Sequence, residues 1–225
     1  MRKIFIGYDS TESIAWDVCR YSIERNTIFG VDEIYRLTGS PGGWHRSAPG
    51  GASTEFTYSR FLVPYLSGYQ GLSLFVDCDF LFLDDVNLLR DYLKDAPVAC
   101  CQHPDYMPRS ADKMEGRLQV AYPRKNWSSL MLFDNAKCRA LTPEYVASAS
   151  PQELHRMEWA SEIDSIPLEW NTLEGYYHFE NPKAIHYTDG GPWHNTYRDN
   201  RYTQLWQDYY REWCNTIKNN SSIHI

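Results

Sequence analysis

Long apolar runs are missing from this chain of 225 residues. No stretch approaches the ~20 consecutive apolar residues that a membrane-spanning helix needs. Clustered basic residues are missing too: Lys and Arg number 22 against 29 Asp and Glu, the net charge is -7, and the cations are scattered. Phosphate-backbone binding requires the opposite pattern, so no nucleic-acid partner is expected, and any phosphate-bearing ligand would need a local cation. The six cysteines, Cys19, Cys78, Cys100, Cys101, Cys138 and Cys214, form no C-x-x-C pair and no Cys/His zinc spacing. With Met1-Arg2-Lys3 leading straight into a strand, they are expected to be free thiols of a cytoplasmic protein. The N-x-S sequons at Asn126, Asn219 and Asn220 carry no weight without a secretion signal. Repeats, low-complexity segments and internal linkers are also lacking, which leaves one globular domain over residues 1–218 and a disordered tail at 219–225.

What is abundant is aromatic: 15% of the chain, with 17 Tyr and 8 Trp, a content suited to a site that stacks on sugars or bases and equally to an aromatic core. Lys3 to Tyr8 reads as a strand, followed by Asp9 as a cap and a helix with Ile14, Val18 and Tyr21 at helical spacing. Glu33–Leu37 is a second strand, and residues 38–53 form a Gly/Pro/Ser-rich loop expected to be mobile. Thr54 to Leu66 repeats Tyr58, Phe61, Leu62, Tyr65 and Leu66 at helical spacing, with Pro64 kinking it. Strand Leu72–Val76 comes next, then a helix with Leu88, Leu89, Tyr92 and Leu93 on one face, strand Val98–Cys101, a polar loop from His103 to Arg117, and strand Ser129–Phe133. Ser150-Pro151-Gln152-Glu153 is a capping box that starts a helix. A short strand Ala184–Tyr187 and an amphipathic helix over 203–217 end the pattern. The stripe of that helix, Leu205, Trp206, Tyr209, Tyr210, Trp213 and Ile217, is expected to pack on the domain, because its other face is not polybasic. Alternating strands and helices imply an α/β layered domain whose ligands bind beyond the carboxyl ends of the strands.

In Leu72 to Asp85 an apolar strand runs into Asp77 and Asp79, whose i, i+2 spacing aims both carboxylates one way in extended backbone. Two converging acids suit a hard divalent cation shared with substrate phosphates. A turn with two solvated acids is the plainer alternative. Asp84 and Asp85 read as caps. His186 ends another apolar stretch and precedes Gly190 and Gly191, whose backbone can approach a phosphate closely. Imidazole also suits a transition metal such as Mn²⁺, though a lone histidine can equally be structural.

Taken in order, IFIGYD, TEFTYSRFLVPYL, FVDCDFLFLDDV and HYTDGGPW resemble the GT-A-fold glycosyltransferases related to glycosyltransferase family 8, which includes glycogenin-like and lipopolysaccharide galactosyltransferase enzymes. WSSLMLFDN and LEWNTLEGYY fall between them as a later strand and an acceptor-side segment, so the resemblance covers roughly residues 3 to 195. It implies a single Rossmann-like α/β domain with a mixed, mostly parallel sheet flanked by helices. It further implies a metal-dependent transfer of a sugar from a nucleoside-diphosphate donor, a UDP-sugar by the family's habit, to an acceptor hydroxyl, with retention. Asp77, Asp79 and His186 would then hold Mn²⁺ or Mg²⁺. Arg60 would reach the donor rather than lie on the surface. Tyr8 and Asp9, with Gly7, would receive base and ribose, although Asp9 can equally be only a cap. Cys78, Ser128, Gly190, Gly191 and Trp193 would complete the donor site. Trp170 and Asn171 are candidates for acceptor contact, Trp170 being equally a core residue.

The chain departs from the family in three places. Its closing segment is one residue shorter than H-x-x-G-x-x-K-P-W and lacks the lysine, for which Lys183 and His194 are the nearest replacements. An Asn-Ala-Gly strand is replaced by Trp127-Ser128-Ser129. No Asp-Gln-Asp is found, and Glu158, Glu162 and Asp164 are the weak catalytic candidates in that interval. Two rival readings remain, a sugar-phosphate nucleotidyltransferase and a non-catalytic nucleotide-sugar or carbohydrate-binding protein. The loop Gly7-Tyr8-Asp9-Ser10-Thr11 has no cation, which weighs against the first.

Overall fold

The computed structural model describes residues 3–30, 33–48, 51–105, 112–113, 117–118 and 123–221. Its strands and α-helices are, in chain order, β1 (Lys3–Gly7), α1 (Ser13–Asn26), β2 (Glu33–Leu37), α2 (Val63–Leu66), β3 (Leu72–Val76), β4 (Phe80–Phe82), β5 (Val98–Cys101), β6 (Asp112–Lys113), β7 (Arg117–Leu118), β8 (Leu130–Asp134), α3 (Pro143–Ser148), α4 (Pro151–His155), β9 (Ile163–Ile166), β10 (Thr172–Leu173), β11 (Ala184–His186) and α5 (Thr203–Ser221). Six strands in the order β2-β1-β3-β8-β5-β9 form the main sheet. β1 pairs parallel with β2 and β3, β5 pairs parallel with β9, and β8 is antiparallel to both of its neighbours. This is the mixed, mostly parallel α/β sheet of the GT-A class. Ile4, Ile6, Leu74, Phe75, Val98, Ala99, Leu132 and Phe133 are all buried, which is why β1, β3, β5 and β8 read as unbroken apolar runs rather than alternating ones.

A second sheet, β10-β11-β4, is what positions the site. β4 continues the chain immediately after Asp77-Cys78-Asp79 and pairs antiparallel with β11, so that Phe80 faces His186. Val18 of α1 and Trp206 and Tyr209 of α5 pack with Leu81 and Ile185 in an apolar cluster of their own. The first part of the α5 stripe, Leu205, Trp206, Tyr209 and Tyr210, therefore packs against the domain, whereas Ile217 is 45% exposed; among the described residues no helix is long and apolar enough to cross a membrane.

Several local expectations are corrected. Residues 54–66 do not form one helix: turns lead into a 3-10 segment, Ser59–Leu62, and only α2 is α-helical, with Pro64 in its first turn where its missing N–H costs nothing. The segment after Asp85 is 3-10 over Val86–Tyr92. Three residues per turn put Val86 and Leu89 inward together and leave Leu88 43% exposed. The described part of loop 38–53 is tied to α3. Arg46 donates to the carbonyls of Val146 and Ala149, and Trp44 Nε1 to that of Pro143. Helix α5 runs to Ser221, beyond the expected end at Ile217 and into the segment expected to be a tail. Residues 222–225 lie outside the described residues, as does much of the loop between His103 and Arg117. The capping box at Ser150 forms with both of its hydrogen bonds.

Candidate metal centre and adjoining cleft

Asp77 and Asp79 sit on the turn between β3 and β4, not on extended backbone. They converge because of that turn and the strand pairing after it, and the i, i+2 argument from extended geometry does not apply. Asp77 N donates to Ser129 O at 2.9 Å and Tyr187 N donates to Asp79 O at 2.9 Å, pinning the turn to β8 on one side and to the end of β11 on the other. His186 stacks on Phe80 with centroids 4.4 Å apart. One ligand atom each of Asp77, Asp79 and His186 lie within 4.8 Å of one another.

Neighbouring hydrogen bonds fix which histidine nitrogen faces the carboxylates. Ser129 Oγ donates to Asn126 O at 2.7 Å, so it accepts from Asn171 Nδ2 at 2.9 Å. The amide oxygen of Asn171 then accepts from His186 Nδ1 at 2.8 Å. With Nδ1 donating to Asn171, Nε2 is the ring nitrogen that faces Asp79 Oδ2, at 3.4 Å. Two carboxylates and an imidazole nitrogen oriented from behind by an amide fit a divalent cation, with oxygen ligands for its hardness and one nitrogen suited to Mn²⁺.

Arg60 is the nearby counter-charge. Its Nη1 lies 2.9 Å from Asp77 Oδ1 and donates to Ser128 O at 2.9 Å, while its Nε donates to Thr57 O at 3.0 Å. Arg60 and Asp77 form the border between a small cavity at the carboxylates and a cleft of about 960 Å³ lined by Asp9, Thr11, Tyr58, Ser128, Gln152, His155 and Arg156 among others. Ser128 Oγ is 2.9 Å from His155 Nδ1. Burial, reinforced by Arg60 and Arg46, pushes the His155 pKa down to about 3, so the ring is neutral. The Cys19 and Cys78 thiols are pushed well above their usual range by burial and then by neighbouring carboxylates, which leaves neither poised as a nucleophile.

The other residues singled out in the sequence fall unevenly around this site. Asp9 and Ser128 line the cleft; Asp9 also caps the 3-10 turn Ser10–Glu12 through Thr11 N and accepts from Glu55 N at 3.2 Å. Tyr8 lies under the Arg36 guanidinium, 4.3 Å from its ring centroid, and is not among the residues lining the cleft. Gly7 is needed because a Cβ there would meet the Phe56 ring at 2.3 Å. Cys78 borders the small cavity but its side chain is buried in the main core. A Cβ on Gly190 or Gly191 would meet Tyr197 at 2.8 Å or Trp193 at 2.0 Å, so both positions require glycine, and Gly190 lines a separate cavity with Glu174 and Tyr176. Trp193 donates from Nε1 to Glu12 Oε1 at 3.0 Å.

Trp170 and Asn171 are 0% exposed and cannot touch an acceptor; Asn171 instead orients His186. Glu158 and Glu162 are exposed and line neither cavity. Asp164 Oδ2 accepts from Lys94 N and Ala96 N at the edge of the sheet. Sequence reasoning missed Glu12, Asn126, Gln152, His155 and Thr188, all of which border the two cavities. The capping box did locate Gln152 and His155 on one short helix, but nothing in the spacing showed which way that helix faces.

No family model matches the chain. Among curated proteins it is similar to Protein CDI of Arabidopsis thaliana, 41% identical over an alignment 225 positions long that covers 94% of this chain and 86% of that one. Among solved structures it is similar to the apo bifunctional glycosyltransferase WbbM, with a TM-score of 0.62 and 16% identity over 93% of this chain. It is also similar to the glycosyltransferase GlyE of Streptococcus pneumoniae TIGR4, at 0.62 and 15% over 98%. A third is the galactosyltransferase LgtC, solved with donor and acceptor sugar analogs, at 0.58 and 12% over 93% of this chain and 95% of that one. The chain spans 49% of WbbM and 63% of GlyE. These likenesses establish the GT-A glycosyltransferase fold, and the identity along nearly its whole length places this chain in the family of the Arabidopsis Protein CDI.

Proposed function

We propose that this protein is a metal-dependent glycosyltransferase that moves a sugar from a nucleoside-diphosphate donor, a UDP-sugar in our reading, to an acceptor hydroxyl, with retention of anomeric configuration. The observation that carries the reading is the convergence of Asp77, Asp79 and His186, whose ligand atoms lie within 4.8 Å of one another beside a cleft of donor size. Asp77, Asp79 and His186 would hold Mn²⁺ or Mg²⁺, which supplies positive charge to a leaving diphosphate. Arg60, already desolvated at that border, adds a second positive charge and orients the phosphates through its planar fork. Ser128, His155 and Gln152 present hydroxyl, imidazole and amide groups that suit hydrogen bonding to sugar hydroxyls. The burial of the six thiols' most cleft-proximal member, Cys78, keeps it out of the chemistry.

The test is donor hydrolysis across a panel of nucleotide sugars, with Mn²⁺ or with EDTA. Metal-dependent release of nucleoside diphosphate, lost in Asp79→Ala, is the expected result. Nucleotide binding in Asp79→Ala that stays metal-dependent and unchanged would sink the assignment. A non-catalytic nucleotide-sugar binder is the second reading, favoured by the absence of Glu158, Glu162 and Asp164 from the cleft; binding without release on every donor would select it. Pyrophosphate exchange with a nucleoside triphosphate would point instead to a nucleotidyltransferase.

A further inference from the structure

A third carboxylate borders the cavity at Asp77 and Asp79. Glu12 ends the 3-10 turn that Asp9 caps, is 1% exposed, and lines the same cavity of about 30 Å³ as Asp77, Asp79 and His186. Its Oε1 accepts from Trp193 Nε1 at 3.0 Å and lies 3.0 Å from His194 Nε2. Its Oε2 is shielded from solvent and meets no hydrogen-bond donor among the described residues. Anchoring Trp193 and His194 accounts for one oxygen and leaves the other buried at a cost no structural role requires. A cavity of that volume has room for a water. Divalent cations of the hard class keep part of their water shell when protein ligands are few. Glu12 stands outside the cluster whose ligand atoms lie within 4.8 Å of one another, so it does not ligate directly.

We propose that Glu12 is an outer carboxylate of the cation site, its Oε2 accepting a hydrogen bond from cation-bound water while its Oε1 ties Trp193 and His194 to the same centre. The proposal rests on Asp77, Asp79 and His186 being cation ligands. It makes Glu12 a positioning residue and couples occupancy of the cation site to the closing segment that follows β11.

Titration of the full chain with MnCl₂ alone, by calorimetry and without nucleotide, tests it. Glu12→Gln keeps an acceptor for Trp193 and His194 but removes the charge, and is expected to weaken Mn²⁺ binding roughly tenfold or more, the range found when a residue behind a metal ligand is lost. Wild-type affinity in Glu12→Gln, with binding abolished in Asp79→Ala, overturns the role of Glu12 and leaves the cation site standing. Wild-type affinity in Asp79→Ala overturns the site and Glu12 with it. Should Glu12→Gln fail to fold, Glu12→Asp retains the charge and draws the oxygen back. Weakened Mn²⁺ binding there supports the proposal, and unaltered binding overturns it.

Discussion

Arg60 and Asp77 form a charge pair with little water around it, their side chains 6% and 15% exposed. Removing one partner of such a pair leaves a buried charge uncompensated, which costs about 3 kcal/mol or more. Arg60→Ala should therefore be destabilised by that order in denaturant unfolding without metal. A cation that binds only the folded state adds about 2.7 kcal/mol at a hundredfold excess over its dissociation constant, and with Arg60 gone it meets Asp77 without competition. Mn²⁺ should accordingly stabilise Arg60→Ala more than it stabilises the wild type; equal gains in both would show that Asp77 does not see the cation. At this scale the sequence exposed the ligand types but not their orientation. Asp77, Asp79 and His186 could be picked out as residues, whereas the Ser129–Asn171–His186 relay depends on a hydroxyl, an amide and an imidazole that are distant in sequence, and Asn171 was read as a candidate for acceptor contact.

Strands β4 and β11 are short, three residues each, and hold the site only because something backs them. That backing is the cluster of Val18, Leu81, Ile185, Trp206 and Tyr209, where Trp206 stacks on Tyr210 at 5.6 Å and meets Trp193 at 5.4 Å. Truncating a buried aromatic of this kind costs about 3 kcal/mol or more, a loss of roughly 10 °C in melting temperature for a chain of this size. Trp206→Ala is expected to show that loss; a change under about 1 kcal/mol would mean the helix is peripheral to the fold. Elements with a strong local signal were legible: β1, β3 and β5 are apolar runs bounded by turns, β2 alternates Ile34 and Arg36 around Tyr35 after a turn, and α5 carries its stripe. β4, β9 and β10 were not read, because two to four residues carry no period and exist as strands only through partners far along the chain. The expected helix over 54–66 failed for a related reason, since helical spacing of apolar residues also arises from successive 3-10 turns packed on a core.

Across the whole molecule, the stability should have a plateau with two limbs set by buried groups. Burial pushes the pKa of His103 down to about 3, with His186 adding to it, as burial with Arg60 and Arg46 does for His155. Both rings are neutral in the folded chain and become protonated on unfolding below their ordinary value of 6.5. The unfolded state then binds more protons, so stability falls as pH drops from that value towards about 3. On the alkaline side burial holds the Cys138 thiol up at about 12, against an ordinary value of 9.0, and Cys19, Cys78 and Cys101 well above it. A thiol that stays protonated only when folded contributes stability below 9.0 that is lost as pH rises through the interval to its folded value. Denaturant midpoints measured from roughly pH 4.5 to roughly pH 10.5 should thus be level near neutrality and decline at both ends. His155→Gln should flatten the acid limb without moving the alkaline one, because the glutamine takes no proton in either state. An acid limb of unchanged slope in that variant would place the proton uptake on other groups and remove His155 as a buried neutral base of the cleft.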